Sequence, residues 1–197
     1  MPTGVAIRDP RRQLFDAAER VLLRDGPGGL TSRAVTAEAG VAKGVLHRHF
    51  ADFDAFLAEL ALDRIAEIRA QAAALRAMAG KGTVAGNVAA ALPGLFSPAI
   101  LALIRLVIAR DDLRAQLQAA TGSRIPLVSE STAMVAGYLA AERDLGRVAA
   151  GADIGTLVPT LVGAAHLLFT GADGTPEPAA VVRVVATVLA AAPMQAP

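Results

Sequence analysis

The sequence predicts an all-α protein with a head of three short helices and a larger helical body, and three observations carry that reading. Apolar residues recur at helical spacing along most of the chain, no segment shows the strict alternation of a strand, and glycine and proline clusters separate the periodic stretches. With 197 residues there is room for one domain or for a small head on a larger body. Apolar residues make up 54% of the chain and aromatics only 4%, so the core must come from Ala, Val and Leu, whose small side chains suit close helix packing.

The first helix is expected over residues 10–25, PRRQLFDAAERVLLRD, with Leu14, Ala18, Val21 and Leu22 on one stripe and Arg12, Asp16, Glu19 and Arg20 elsewhere. It starts after Pro10 and stops at Gly26-Pro27-Gly28-Gly29. Thr31 has the chemistry to cap a second short helix that runs into Gly40. A third follows from about Ala42 to Phe50. Asp52 can cap a fourth, from Phe53 to about Met78, that carries Phe56, Leu57, Leu60, Ile65 and Ile68 inward. At about 1.5 Å per residue this helix is roughly 40 Å long, enough to join a head to a body.

Gly80-Lys81-Gly82 breaks it, and apolar helices are expected at about 83–92, 98–119, 124–144, 154–170 and 177–191. Pro93-Gly94, Thr121-Gly122, Gly146 to Gly151 and Gly171 to Pro176 separate them. The expected division is a head of residues 1–51 and a body of residues 52–197, linked by the helix at about 53–78.

Without cysteine there is no disulfide, no thiolate nucleophile and no Cys-based zinc or iron–sulfur site. The net charge of +1 hides an asymmetry: residues 1–51 carry eight Lys/Arg against five Asp/Glu, and residues 52–197 carry eleven against thirteen. A basic front end hints at a polyanionic partner there. The N-terminal MPTGVAIRDPRRQLF lacks the apolar run of a signal peptide, so a cytoplasmic location is expected. Ile154 to Ala172 has no formal charge and could span a bilayer by length. Pro159, His166 and three glycines dilute it, and no flanking Lys/Arg cluster accompanies it. A helix buried between protein surfaces is the better reading, with no membrane partner.

The stretch AEAGVAKGVLHRHF, residues 37–50, closes a short helix, turns at glycine and opens another. That arrangement places its second helix in the major groove of DNA. On the third helix Leu46, His49 and Phe50 share a face with Ala42, and Lys43, Gly44, His47 and Arg48 share the other. His47 and His49 point about 200° apart on a helix and cannot both hold one metal, so no metal is expected. A merely solvated basic face is the alternative on charge alone; the helix-turn-helix spacing favours a polyanion.

Residues 10–57 resemble the N-terminal domain of TetR/AcrR-family transcriptional regulators. The likeness rests on the amphipathic first helix ending in Asp25-Gly26, then LTSRAVTAEAGVAKGVLHRHF, then a capping residue and an apolar fourth helix. It implies a DNA-binding head in which Thr31 and Ser32 hold phosphate at the start of the second helix and Arg33 reaches a base edge. Lys43, Gly44 and Val45 take the leading turn of the recognition helix, and His47 and Arg48 the next.

The sequence departs from the family pattern at Ala42, where a Ser or Thr cap is common, and at Val45, where a Thr is common. His47 stands where a Tyr usually reaches phosphate, and Phe53 where a Lys is common. Affinity rises with the phosphates neutralised, so these changes predict weak, salt-sensitive binding.

The resemblance also implies a homodimer on a double-stranded, pseudo-palindromic operator, repression as the regulatory sense, and release by a small, hydrophobic inducer. The expected interface lies on the last two helices, through Leu157, Leu161, Ala164, Ala165, Leu168, Val181, Val185 and Leu189. Asn87, Arg105, Ser131, Tyr138 and His166 are the polar residues that could line a ligand pocket in the apolar body. No cofactor is implied. The chain has no Gly-x-Ser-x-Gly, phosphate-binding glycine loop or H-E-x-x-H, and Asp111-Asp112 is explained by solvation near a helix end, so catalysis is not expected. The rival reading is a helical lipid- or drug-binding protein with a degenerate DNA-binding head.

Overall fold

The computed structural model describes residues 9–171 and 176–190, and among them there are ten helices and no strand. α1 (Pro10–Gly29) opens where Asp9 accepts from the Arg12 N–H at 3.1 Å, and Pro10 takes the first position, where its missing donor costs nothing. It buries Leu14, Ala18, Val21 and Leu22 as expected, together with Phe15 and Ala17. Gly26, at φ 70° and ψ −176°, interrupts the helical geometry, and one more turn follows before Leu30.

α2 (Ser32–Glu38) is capped by Thr31, whose hydroxyl accepts from the Ala34 N–H at 3.1 Å. The chain leaves it through Gly40 at φ +67°, a left-handed conformation that a side chain resists. α3 (Gly44–His49) is shorter than the expected 42–50. Asp52 caps α4 (Phe53–Arg76), accepting from the Ala55 N–H at 2.7 Å. Phe56, Leu57, Leu60, Ile65 and Ile68 are all buried on it.

α5 (Val84–Leu95), α6 (Pro98–Ala109), α7 (Asp111–Thr121), α8 (Pro126–Asp144), α9 (Ile154–Gly171) and α10 (Pro178–Ala190) complete the chain. Two boundaries differ from expectation. Pro93-Gly94 does not end α5, because a proline in the last turn forfeits one hydrogen bond only and the helix stops at Leu95 anyway. The single helix expected at 98–119 is two, broken at Arg110, which is extended at φ −123° and ψ 103°. Asp111 and Asp112 then form the first turn of α7, where carboxylates favour the positive end of the helix dipole. The break expected at Gly171 to Pro176 falls largely on residues 172–175, outside the described residues, as does Ala191 at the end of the last expected helix.

The helices form two compact units, divided differently from the expected 1–51 and 52–197. The first comprises Met1–Arg64 and Pro98–Pro126, because α6 packs against α1 and α7 against α6. Within it Phe15, Phe50, Phe53 and Phe56 form an aromatic cluster, with Phe50 edge-on to Phe56 at 5.0 Å and Phe53 stacked on Phe56 at 5.6 Å. Phe53, which departs from the family pattern, thus extends the head's core. Arg110, at the break between α6 and α7, pairs with Asp54 at 2.5 Å.

The second unit comprises Ile65–Ser97 and Leu127–Pro197. In it α10 packs on α5 and α9, and Arg69 of α4 pairs with Glu130 of α8. A buried polar knot fixes the loops of this unit. Tyr138 donates to Glu142, Asn87 donates to the Tyr138 hydroxyl at 2.8 Å, and Arg147 pairs with Glu142 at 3.2 Å. The Gly80 N–H donates to the same carboxylate at 3.3 Å.

Candidate nucleic-acid interface

The third helix exposes one face and buries another, as its sequence predicts. Leu46 and the following Phe50 are buried, His49 and Val45 are half-buried, and Lys43, Gly44, His47 and Arg48 are exposed. Ala42, expected on the inner face, is exposed because the helix begins two residues later. Lys43 occupies the N-cap position, where its ammonium, a donor only, cannot cap the helix, and the residue is exposed.

Charge pairing separates this surface from the rest of the head. Glu38 receives Arg20 at 2.8 Å and Arg24 at 2.7 Å, and these two cations hold its carboxyl below the usual range. Arg11 is paired with Glu59, and Arg64 with Glu19. Arg33, Lys43 and Arg48 are exposed, and among the described residues none has a carboxylate partner. Three uncompensated cations on two successive short helices form a surface that attracts a polyanion.

Gly44 adds a second feature. Its φ is not in the left-handed region, and a Cβ placed on it would meet nothing within 4 Å. The chain's own packing therefore does not require glycine there. At the start of α2 the two hydroxyls behave differently. Thr31 is exposed but engaged in capping, whereas the Ser32 hydroxyl is buried, without a hydrogen-bond partner among the described residues. Ser32 cannot present that oxygen to a phosphate in this conformation.

α2, the turn at Gly40 and α3 have the order and lengths of a helix-turn-helix, and the remaining described helices complete an all-α chain. Residues 14–60 match the family described as bacterial regulatory proteins, tetR family. No curated protein matches the sequence. Among solved structures, a TetR-family member from Streptomyces coelicolor A3 is 23% identical, with a TM-score of 0.64 over 91% of this chain and 98% of that one. The multidrug binding protein EbrR, complexed with malachite green, is 24% identical, with a TM-score of 0.63 over 90% and 96%. The transcriptional regulator FadR from Bacillus subtilis, in complex with stearoyl-CoA, is 16% identical, with a TM-score of 0.64 over 91% and 95%. These likenesses establish the shared fold.

Of the residues expected to line a ligand pocket, Asn87, Ser131, Tyr138 and His166 lie in the second unit and Arg105 in the first. Asn87 and Tyr138 belong to the polar knot around Glu142, and Ser131 donates to the Leu127 carbonyl at 2.8 Å. Burial, reinforced by the Glu142 hydrogen bond, pushes the Tyr138 hydroxyl up to about 12. Arg105 is exposed on α6, in the other unit. His166 is exposed on α9, 6.2 Å from the Phe96 ring.

The residues expected at a dimer interface differ in their burial within the single chain. Leu157, Leu161, Ala165, Val181, Val185 and Leu189 are buried within the chain itself, and Ala164 and Leu168 are half-buried. Helical periodicity identified the apolar side of each helix, and that side packs on the chain's own core. What stays open on α9 and α10 is the opposite side, where Leu167 is 73% exposed and Val182 43%.

Sequence reading missed Arg11 and Gln13, which reach from α1 to the ends of α3 and α2. Arg11 donates to the His49 carbonyl at 3.1 Å and Gln13 to the Ala39 carbonyl at 2.7 Å. In the sequence both look like ordinary solvated residues at a helix start, and no local signal distinguishes them.

Proposed function

We propose that the protein represses transcription as a homodimer on a pseudo-palindromic operator and is released by a small hydrophobic molecule. The observation that carries this reading is the exposed face of α3 and α2, where Arg33, Lys43 and Arg48 have no carboxylate partner among the described residues and Gly44 leaves room for close approach. Lys43 and Gly44 would meet the groove first, with Arg33 and Arg48 reaching base edges or phosphates, Val45 against a base and His47 and Thr31 donating to phosphate. A head that had lost its DNA partner would have no reason to keep these cations uncompensated, which argues against the ligand-carrier reading.

A six-residue recognition helix buries too little surface to grip DNA alone, and a two-fold dimer places two of them about one DNA turn apart. The outward side of α9 and α10, with Leu167 and Val182, is the surface offered to the second copy. That burial also accounts for α9, which is long and apolar enough to cross a membrane by length and composition, without invoking lipid. Malachite green in EbrR and stearoyl-CoA in FadR are ligands of proteins with this fold, and the apolar composition of the body suits an inducer of hydrophobic character.

Selection of duplexes from a random library with the purified protein at low salt tests the reading. A dimeric reader enriches two inverted half-sites about 10 base pairs apart, centre to centre. A single asymmetric site, or no enrichment at the lowest salt, contradicts it.

A further inference from the structure

α3 is too short to hold its own direction. It has six residues, no side-chain cap at its start, and Leu46 as its one buried residue. A helix of this length is unstable in isolation, so its orientation must be imposed from outside. The last carbonyls of any helix lack intrahelical donors, and whatever supplies those donors fixes the helix end.

Arg11, in the first turn of α1, supplies one. Its Nη1 donates to the carbonyl of His49, the final residue of α3, at 3.1 Å. Its Nη2 pairs with the carboxylate of Glu59 on α4. Its guanidinium carbon sits 4.5 Å from the centroid of the Phe50 ring, which in turn packs against Phe15 and Phe56. One planar group therefore touches α1, the end of α3 and α4. Only a guanidinium can do this, since its donors fan out in one plane while its face stacks on an aromatic ring.

We infer that Arg11 is a positioning residue for DNA recognition: it fixes the direction of α3 and, through Glu59, ties that direction to α4. The inference rests on the proposed DNA-binding function, but the clamp itself can be tested without DNA. Arg11 makes no base contact in this account. Its charge is spent on Glu59, so it contributes no phosphate contact either.

The test compares wild type, Arg11→Met, Arg11→Lys and Glu59→Ala as full-length chains. Arg11→Met keeps the aliphatic stem against Phe50 but removes the donors and the charge. In native-state amide exchange, residues 44–50 are expected to exchange about tenfold faster in Arg11→Met, with the amides of residues 14–22 unchanged. Arg11→Lys falls between the two, because an ammonium cannot serve the carbonyl, the carboxylate and the ring together. Unchanged exchange over residues 44–50 in Arg11→Met overturns the clamp.

On the duplex enriched by wild type, both Arg11→Met and Glu59→Ala are expected to reduce the preference over random duplex at least about tenfold, while the salt dependence on random duplex stays as in wild type. If Glu59→Ala instead tightens binding and Arg11→Met lowers the salt slope by about one, Arg11 is a phosphate contact released by losing its carboxylate, and the inference fails. If wild type enriches no duplex, the DNA-binding reading fails by itself and the exchange experiment still decides the clamp.

Discussion

The Nε of Arg64 lies 2.5 Å from the carboxylate of Glu19, joining α4 to α1 through a side chain that is only 6% exposed. Asp63 at 3.4 Å and Asp16 at 3.7 Å surround the same guanidinium. A buried cation is tolerable only while its partners remain, and removing one member of such a group is costly for the whole. Arg64→Met is expected to destabilise the protein by about 3 kcal/mol, the lower end of the range for a broken buried pair, because Asp16 and Asp63 are partly solvated. A denaturant titration followed by circular dichroism reads this as a lower midpoint; an unchanged midpoint means the cluster contributes nothing.

Gly44 separates stability from recognition. Nothing in the chain lies within 4 Å of an added Cβ, so Gly44→Ala is expected to leave folding intact or to stabilise it by about 0.5 kcal/mol through the unfolded chain. If the space is kept for a DNA backbone, the same change weakens binding to the selected duplex. Equal binding by wild type and Gly44→Ala removes that reason for the glycine.

Tyr138 provides an alkaline signature. Burial and the Glu142 hydrogen bond raise its hydroxyl from the ordinary value of 10.0 to about 12, partly opposed by the bond from Asn87. The folded state thus holds this proton more tightly than the unfolded state. Its contribution to stability is fully present below about pH 10 and is lost as pH rises through about 12. The chain contains one Tyr and no Trp, so tyrosinate absorbance reports this group alone. The absorbance is expected to rise near the upper value in the folded protein, and a midpoint at 10.0 would show that the knot does not hold the proton.

Leu167 tests the proposed dimer surface. It is 73% exposed in the single chain, so Leu167→Glu costs little in folding but places a charge in the middle of the face offered to a second copy. Sedimentation velocity is expected to give a dimer for wild type and a folded monomer for the variant. A variant that remains dimeric moves the interface elsewhere.

Much of the head was legible in the sequence, because its signals are local. Thr31, Asp52 and Gly40 mark helix ends by their own chemistry, and the alternation of Leu46 and Phe50 with Lys43, His47 and Arg48 sets the two faces of α3. The body was legible as helices but not as packing. Periodicity finds the apolar side of α9 and α10, yet Leu161 and Val185 face the chain's own core while Leu167 does not, and composition cannot tell one apolar neighbour from another. Arg110, where α6 and α7 part, meets Asp54 from 56 residues away, and Arg11 meets His49 and Glu59 from far along the chain. The bonds that join Asn87 and Tyr138 to Glu142 were likewise invisible, since these residues meet only in three dimensions.

The central claim is that the uncompensated cations of α2 and α3 read DNA, and the most direct measurement is the affinity of the library-selected duplex for wild type, Arg33→Ala, Lys43→Ala and Arg48→Ala across a salt series. A residue on a base edge is expected to cost about 1–3 kcal/mol with relaxed preference at one position, and a residue on a phosphate to lower the salt slope by about one. At least one substitution must do the first for the surface to be a sequence reader. Binding that is unchanged in all three variants contradicts the claim and assigns whatever DNA affinity the protein has to another surface.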